Sequence, residues 1–209
     1  MIDRVAYAAG YAYSPRGNSE VSQRSRQLRD LVKGANPQTL PQIAARVSQW
    51  AAAREFPGFF GPQTTLVPVP ARAPRRDPDA LWVPERICLA LHAAGLGREV
   101  WPALQRTVAV PKSAFAARGE RPELQVHMES LAVTSHVPPT PRILLVDDFV
   151  TKGRTLLAAA KVLDAAMPAL EIRAFAVVRT MGLVPDVEQI RWPVVGEIRL
   201  EDGDAVREP

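Results

Sequence analysis

Two adjacent carboxylates, Asp147 and Asp148, follow directly on an apolar run, Ile143 to Val146, and a small polar stretch, Thr151, Lys152, Gly153, Arg154 and Thr155, begins four residues after Asp147. Burying two neighbouring charges is costly, so the pair is expected to face a crevice. The polar stretch carries hydroxyls, two cations and a central glycine, and it opens into a helix-forming segment. Backbone amides, hydroxyl donors and a helix's positive end then converge on one spot, which suits a phosphate ester. Carboxylates suit vicinal sugar hydroxyls or a hydrated magnesium ion. Together they describe a phosphorylated sugar. The plainer reading of the same residues is a strand-to-helix turn in which Asp148 or Thr151 caps the helix and Gly153 permits the bend.

Such a site needs a sheet to hold it. Ile143 to Val146 reads as a parallel strand covered on both faces, followed by a helix over Leu156 to Ala166 and a second apolar strand over Ile172 to Val178. This series predicts an α/β fold, a mainly parallel sheet flanked by helices, with ligands taken at the carboxyl ends of its strands. Upstream, a helix is expected over Glu20 to Lys33 with Gly34 ending it. Another starts at Asn36 and Pro37 and runs to about Glu55. Thr64 to Pro70 reads as a short strand entering a rigid, basic loop over Ala71 to Arg76. A helix follows over Val83 to Leu96, then an exposed loop between Pro111 and Pro122. Val194 to Leu200 reads as a final strand.

The chain of 209 residues suits one domain, with 1–60 a helical part, 61–180 the core and 181–209 a terminal segment. Hydrophobic residues at 47% and charged residues at 23% fit a globular chain and argue against disorder. The lone Cys88 excludes an intramolecular disulfide and a multi-cysteine zinc ribbon, and is read as a small core residue. No apolar stretch approaches the roughly 20 residues a spanning helix needs, so no membrane partner is expected and the cytoplasm is the expected location. A net charge of +4 suits nucleic acid and a polyanionic metabolite equally. His92, in an apolar helix, and His127 and His136, in loops, define no metal site. Trp50, Trp82, Trp101 and Trp192 are read as core or interface residues.

The run from Arg142 to Thr155 resembles the phosphoribosyl diphosphate (PRPP) motif of type I phosphoribosyltransferases: a hydrophobic strand, two acidic residues, then a threonine- and glycine-rich loop. Leu66 to Pro70 with Ala71 and Arg72 further resembles the competence-protein F branch of that family, without the branch's four-cysteine ribbon. The resemblance implies the family fold with a small variable hood from the C-terminal segment. It also implies that Asp147 and Asp148 bind the ribose hydroxyls and that Thr151, Lys152, Gly153, Arg154 and Thr155 wrap the 5′-phosphate. The backbone at Ala71 and the side chain of Arg72 would face the pyrophosphate, and Lys112, Ser113 and Arg118 would lie on a loop that closes over PRPP. A solvated basic loop and a plain surface loop are the competing readings of those two segments.

As implied catalytic residues, Asp147 and Asp148 hold the ribose while Arg72, Lys112 and magnesium neutralise the departing pyrophosphate. The magnesium would be held mainly through PRPP, with no direct protein ligand set. Lys152 departs from the family, which commonly has a small hydroxylated residue there, so a charge contact to the phosphate is expected. Thr151 stands where purine-specific relatives often have an aspartate. The implied activity is transfer of a phosphoribosyl group to a small nitrogenous acceptor, whose identity the sequence does not give. A non-catalytic PRPP or nucleotide sensor and a DNA-uptake accessory protein remain alternatives, and a homodimer and nucleic acid remain open as partners.

Overall fold

In the computed structural model, residues 2–111, 124–134, 137–182 and 186–209 are described. The apolar run containing Ile143 becomes the middle of strand β6 (Arg142–Val150). Its alternate side chains serve two cores: Ile143 and Leu145 join one hydrophobic cluster, Leu144 and Val146 the other. A strand buried on both faces needs no polar alternation, which is why the sequence reads as a continuous apolar run.

The remaining elements are β1 (Arg4–Tyr13), α1 (Glu20–Lys33), α2 (Thr39–Ala52), β2 (Gly61–Pro68), α3 (Val83–Ala93), β3 (Gly97–Val100), β4 (Leu104–Arg106), α4 (Leu124–Glu129) and β5 (Leu131–Val133), then after β6 come α5 (Arg154–Ala166), β7 (Glu171–Thr180), β8 (Arg191–Glu201) and β9 (Asp204–Glu208). Among the described residues the main sheet has seven strands in the order β3-β2-β6-β7-β1-β8-β9. From β3 to β1 all pairings are parallel, whereas β8 and β9 join antiparallel. The expected mainly parallel sheet with flanking helices is therefore the fold. Val32 of α1, Leu40, Ile43 and Val47 of α2 and Leu91 of α3 cover one face, and Leu156, Leu157 and Leu163 of α5 cover the other. β4 and β5 form a separate antiparallel pair.

Parts of the chain differ from the sequence reading. The first thirteen residues, expected to belong to a helical part, supply β1, which lies inside the sheet between β7 and β8. The C-terminal residues, expected to supply a final strand over Val194 to Leu200, extend the main sheet, and β8 pairs along β1 from Arg4 to Tyr11. His127, expected in a loop, lies in α4 and is buried. The helix expected from Asn36 begins at Thr39, with the Asn36 side-chain oxygen accepting the amides of Gln38 and Thr39 at 3.0 and 2.9 Å.

Candidate functional site

The acidic pair sits within β6 rather than beyond it, since the strand continues to Val150. The two carboxylates meet different surroundings. Asp148 is buried, 8% exposed, and its Oδ2 accepts the Lys33 ammonium at 2.6 Å. That ammonium also lies 4.8 Å from the centre of the Phe149 ring. Asp147 is half-buried and its Oδ1 accepts the backbone amide of Asp148 at 2.8 Å. Burial, and then the charge of Asp148, push the Asp147 carboxyl well above its ordinary value, while Lys33 pulls it down.

The loop expected to face pyrophosphate starts beside this pair, because the amide of Val69 donates to the carbonyl of Val146 at 2.9 Å. The carbonyl of Ala71 accepts Arg106 Nε at 3.1 Å, and the same guanidinium donates to His127 O at 3.2 Å and Ser130 Oγ at 2.5 Å. Arg106 is almost fully buried, and burial lowers its pKa while the Asp147 charge raises it. One buried cation thus ties the 69–72 loop to α4 and faces an acidic residue of β6. Ala71 and Arg72 are both exposed, and the Arg72 carbonyl accepts the Val110 amide at 2.8 Å. Lys112, Ser113 and Arg118 lie outside the described residues.

The loop from Thr151 to Thr155 enters α5 through Gly153 at φ +87°, a left-handed conformation natural to glycine. No side chain caps this helix, and Asp148 and Thr151 are turned elsewhere, Asp148 to Lys33 and Thr151 to the Thr180 hydroxyl at 3.2 Å. The capping alternative is thus not what the structure shows, and the first-turn amides of α5 have no acceptor within their own helix. Strands β8 and β9 close over this loop. A Cβ on Gly153 would lie 2.6 Å from Ile198, and Asp204 takes both loop cations: Lys152 at 3.0 Å and Arg154 through Nε and, at 2.6 Å, Nη2. The Lys152 side chain stays half-exposed. It is held on a carboxylate beside the helix entrance.

Two clefts flank the sheet. One, of about 490 Å³, runs along the 70–82 segment and includes Ala71, Arg75, Trp82 and Arg106. The other, of about 720 Å³, lies by α1 and α2. Neither of these two is lined by Asp147 or Asp148. Lys33 neutralises Asp148 directly.

Three residues here escaped sequence reasoning: Lys33, Arg106 and Asp204. Each is defined by a partner distant in sequence, Lys33 by one 115 residues away, so no local spacing signals it. Among the described residues no group of three or more His, Cys, Asp or Glu is placed to hold a metal ion. A magnesium ion here would take most of its oxygens from its ligand and from water, with Asp147 the accessible carboxylate. Among the described residues no helix is long and apolar enough to cross a membrane.

The fold and site together define an α/β protein with a mainly parallel sheet and a mixed carboxylate and cation site where β6 gives way to α5. No family model matches the chain, and no curated protein does. Among solved structures it is similar to an APRTase from Giardia lamblia complexed with 9-deazaadenine, at 18% identity over 73% of this chain and 84% of that one, with a TM-score of 0.39. It is also similar to a hypoxanthine phosphoribosyl transferase from Trypanosoma cruzi, at 13% identity over 76% of this chain and 71% of that one, with a TM-score of 0.32.

Proposed function

We propose that this chain binds PRPP with magnesium and transfers its phosphoribosyl group to a nitrogen nucleophile, releasing pyrophosphate. The observation that carries the reading is the order of parts along β6 and α5. A central strand delivers Asp147 and Asp148, then a left-handed Gly153 opens an uncapped helix, and the Val69 to Ala71 loop is hydrogen-bonded alongside. The carboxylates suit the ribose hydroxyls and the uncapped first turn suits the 5′-phosphate. Arg72, exposed on the neighbouring loop, is free to swing toward pyrophosphate, and Lys112 is proposed to join it.

In the reaction the C1–oxygen bond breaks with its electron pair leaving on pyrophosphate, the acceptor's nitrogen lone pair forms the new C1–nitrogen bond, and the acceptor's proton passes to solvent. Magnesium, when bound, would offset the negative charge on the leaving group. Holding the ribose while positive charge develops on it is the work of Asp147 and Asp148. A second reading, a PRPP sensor without turnover, draws support from Asp204, which already occupies both loop cations.

Calorimetry with PRPP, with and without magnesium, tests the reading. Asp147→Asn combined with Asp148→Asn is expected to weaken binding about a hundredfold, since each charged hydrogen bond lost costs about 1.5 to 3 kcal/mol. Unchanged affinity in the folded double variant would sink it. Pyrophosphate release across nucleobases and small amines separates the enzyme from the sensor.

A further inference from the structure

We propose that the cleft between α1, α2 and the residues leading into β8 is a binding site for a small amphipathic organic anion, with an apolar body and a carboxylate, sulfonate or phosphate at its end. The cleft measures about 720 Å³, inside the range of roughly 300 to 1,000 Å³ typical of small-ligand sites. It contains none of the residues from Asp147 to Thr155 and none of the 69–72 loop, so the inference does not depend on the function proposed above.

The pointer is a phenol. Tyr11, near the end of β1, lines the cleft and is only 6% exposed, yet among the described residues its hydroxyl has no hydrogen-bond partner. The ring is buried while the hydroxyl oxygen stays open to the cleft, where a ligand can meet it. The other two tyrosines have partners: Tyr7 donates to the Pro209 carbonyl, and the Tyr13 oxygen accepts Arg29 Nη1 at 3.1 Å. The Tyr11 ring is fixed edge-on against Trp50 at 5.2 Å between centres, so the unused hydroxyl keeps its place beside the cleft.

The charges around it are unbalanced. Arg46 and Arg191 line the same cleft and both act on the Tyr11 phenol, pulling its pKa down against the upward push of burial. Among the described residues neither forms an ion pair. Arg24 lines the cleft too, but Glu20 already holds it at 2.6 Å, and Glu188 is the carboxylate of the lining. Two uncommitted guanidiniums and one hydroxyl donor call for an anion, which a guanidinium fork takes in two parallel hydrogen bonds. The remaining walls include Val21, Leu28 and Ile43, which a bare inorganic ion would leave in water. An apolar body attached to the anion satisfies both parts of the lining.

The test uses the full chain and three probes: 8-anilinonaphthalene-1-sulfonate, its uncharged relative N-phenyl-1-naphthylamine, and inorganic phosphate. Fluorescence titration should show one equivalent of the sulfonate bound. Arg46→Gln with Arg191→Gln should weaken it at least about tenfold and Tyr11→Phe about threefold, with the neutral probe's affinity unmoved. Thermal melts establish that each variant is folded, and if Tyr11→Phe is not, the arginine pair decides alone. The proposal is overturned if the wild type does not bind the sulfonate, or if the double arginine variant binds it as well as the wild type does. It is equally overturned if inorganic phosphate displaces the sulfonate at matching concentration, which would make this a simple anion site.

Discussion

The ammonium of Lys33, the last residue of α1, stands 2.6 Å from the buried carboxylate of Asp148 in the central strand. This contact joins a helix end to the middle of the sheet, and its two partners differ in exposure, 53% for the lysine side chain and 12% for the aspartate. Removing one partner of a fully buried pair costs about 3 to 5 kcal/mol, whereas exposed pairs contribute up to about 1 kcal/mol. With the lysine half in water, Lys33→Met is expected to cost about 1 kcal/mol, with Lys33→Arg recovering most of it. Urea unfolding measures this, and equal midpoints for wild type and Lys33→Met would contradict it.

Asp147 sets a pH dependence of definite sign. Its carboxyl is pushed well above the ordinary 3.8, so between that value and the raised one the folded chain holds a proton that the unfolded chain has lost. Stability therefore falls as pH rises through that window. Asp147→Asn removes the slope, and thermal melts from about pH 4 to 8 should show a flatter profile for the variant and a gain in stability over wild type at the upper end. A wild-type melting temperature that climbs through the window more steeply than the variant's would contradict it.

Asp204 holds two cations of the loop at once, and its carboxyl is pulled far below the ordinary range, first by its hydrogen bonds to Arg154. Its contribution to stability is present above the unfolded-state value and is lost as pH falls, so Asp204→Asn should be the less acid-sensitive protein. The same change releases Lys152 and takes from Arg154 its bond to the carboxylate. Ribose 5-phosphate should then bind about threefold to tenfold more tightly, with a steeper dependence on salt, because a competing carboxylate has been removed from beside Lys152. Calorimetry across a sodium chloride series reads both quantities, and weaker binding by the variant would show that Asp204 orients the cations instead of occupying them.

Gly153→Ala combines two penalties. The residue has φ +87°, and the added methyl would lie 2.6 Å from Ile198. A loss of about 2 to 3 kcal/mol is expected, from the left-handed backbone and from overpacking. Ile198→Ala, which costs core packing of its own, is made alone and together with Gly153→Ala, and the coupling between the two changes gives the crowding part. Chemical denaturation of these variants separates the two penalties, and a Gly153→Ala variant as stable as wild type would refute the account.

The legible part of this protein is the part whose signals are local. Ile143 to Val146, Gly153 and the helix after it are each marked within a few neighbours, and the helices over Glu20–Lys33 and Val83–Ala93 by apolar spacing and terminal glycines. β1 was not legible because it is built of small residues. Ala8, Ala9 and Ala12 are fully buried, and Gly10 has the Trp50 ring 2.7 Å from where a Cβ would stand. Close approach at Gly10 and the buried bulk of Val5, Tyr7 and Tyr11 together make that segment an interior strand. β4 and β5 span three residues each, too few to show a period. At the site, the carboxylates and the glycine loop were readable, but Lys33, Arg106 and Asp204 acquire their meaning only when the chain folds back on itself.

The position of β1 between β7 and β8 has a consequence for synthesis. Arg4–Tyr13 is translated well before its parallel neighbour, Glu171–Thr180, and its antiparallel neighbour, Arg191–Glu201. A nascent chain leaving the ribosome therefore carries this strand with both hydrogen-bonding edges open until β7 and β8 have been translated. Contacts of such long separation slow folding and leave an adhesive segment in the open. Such a strand is exposed to wrong pairings during synthesis, and a circular permutant in which β1 follows β9 would spare it the wait.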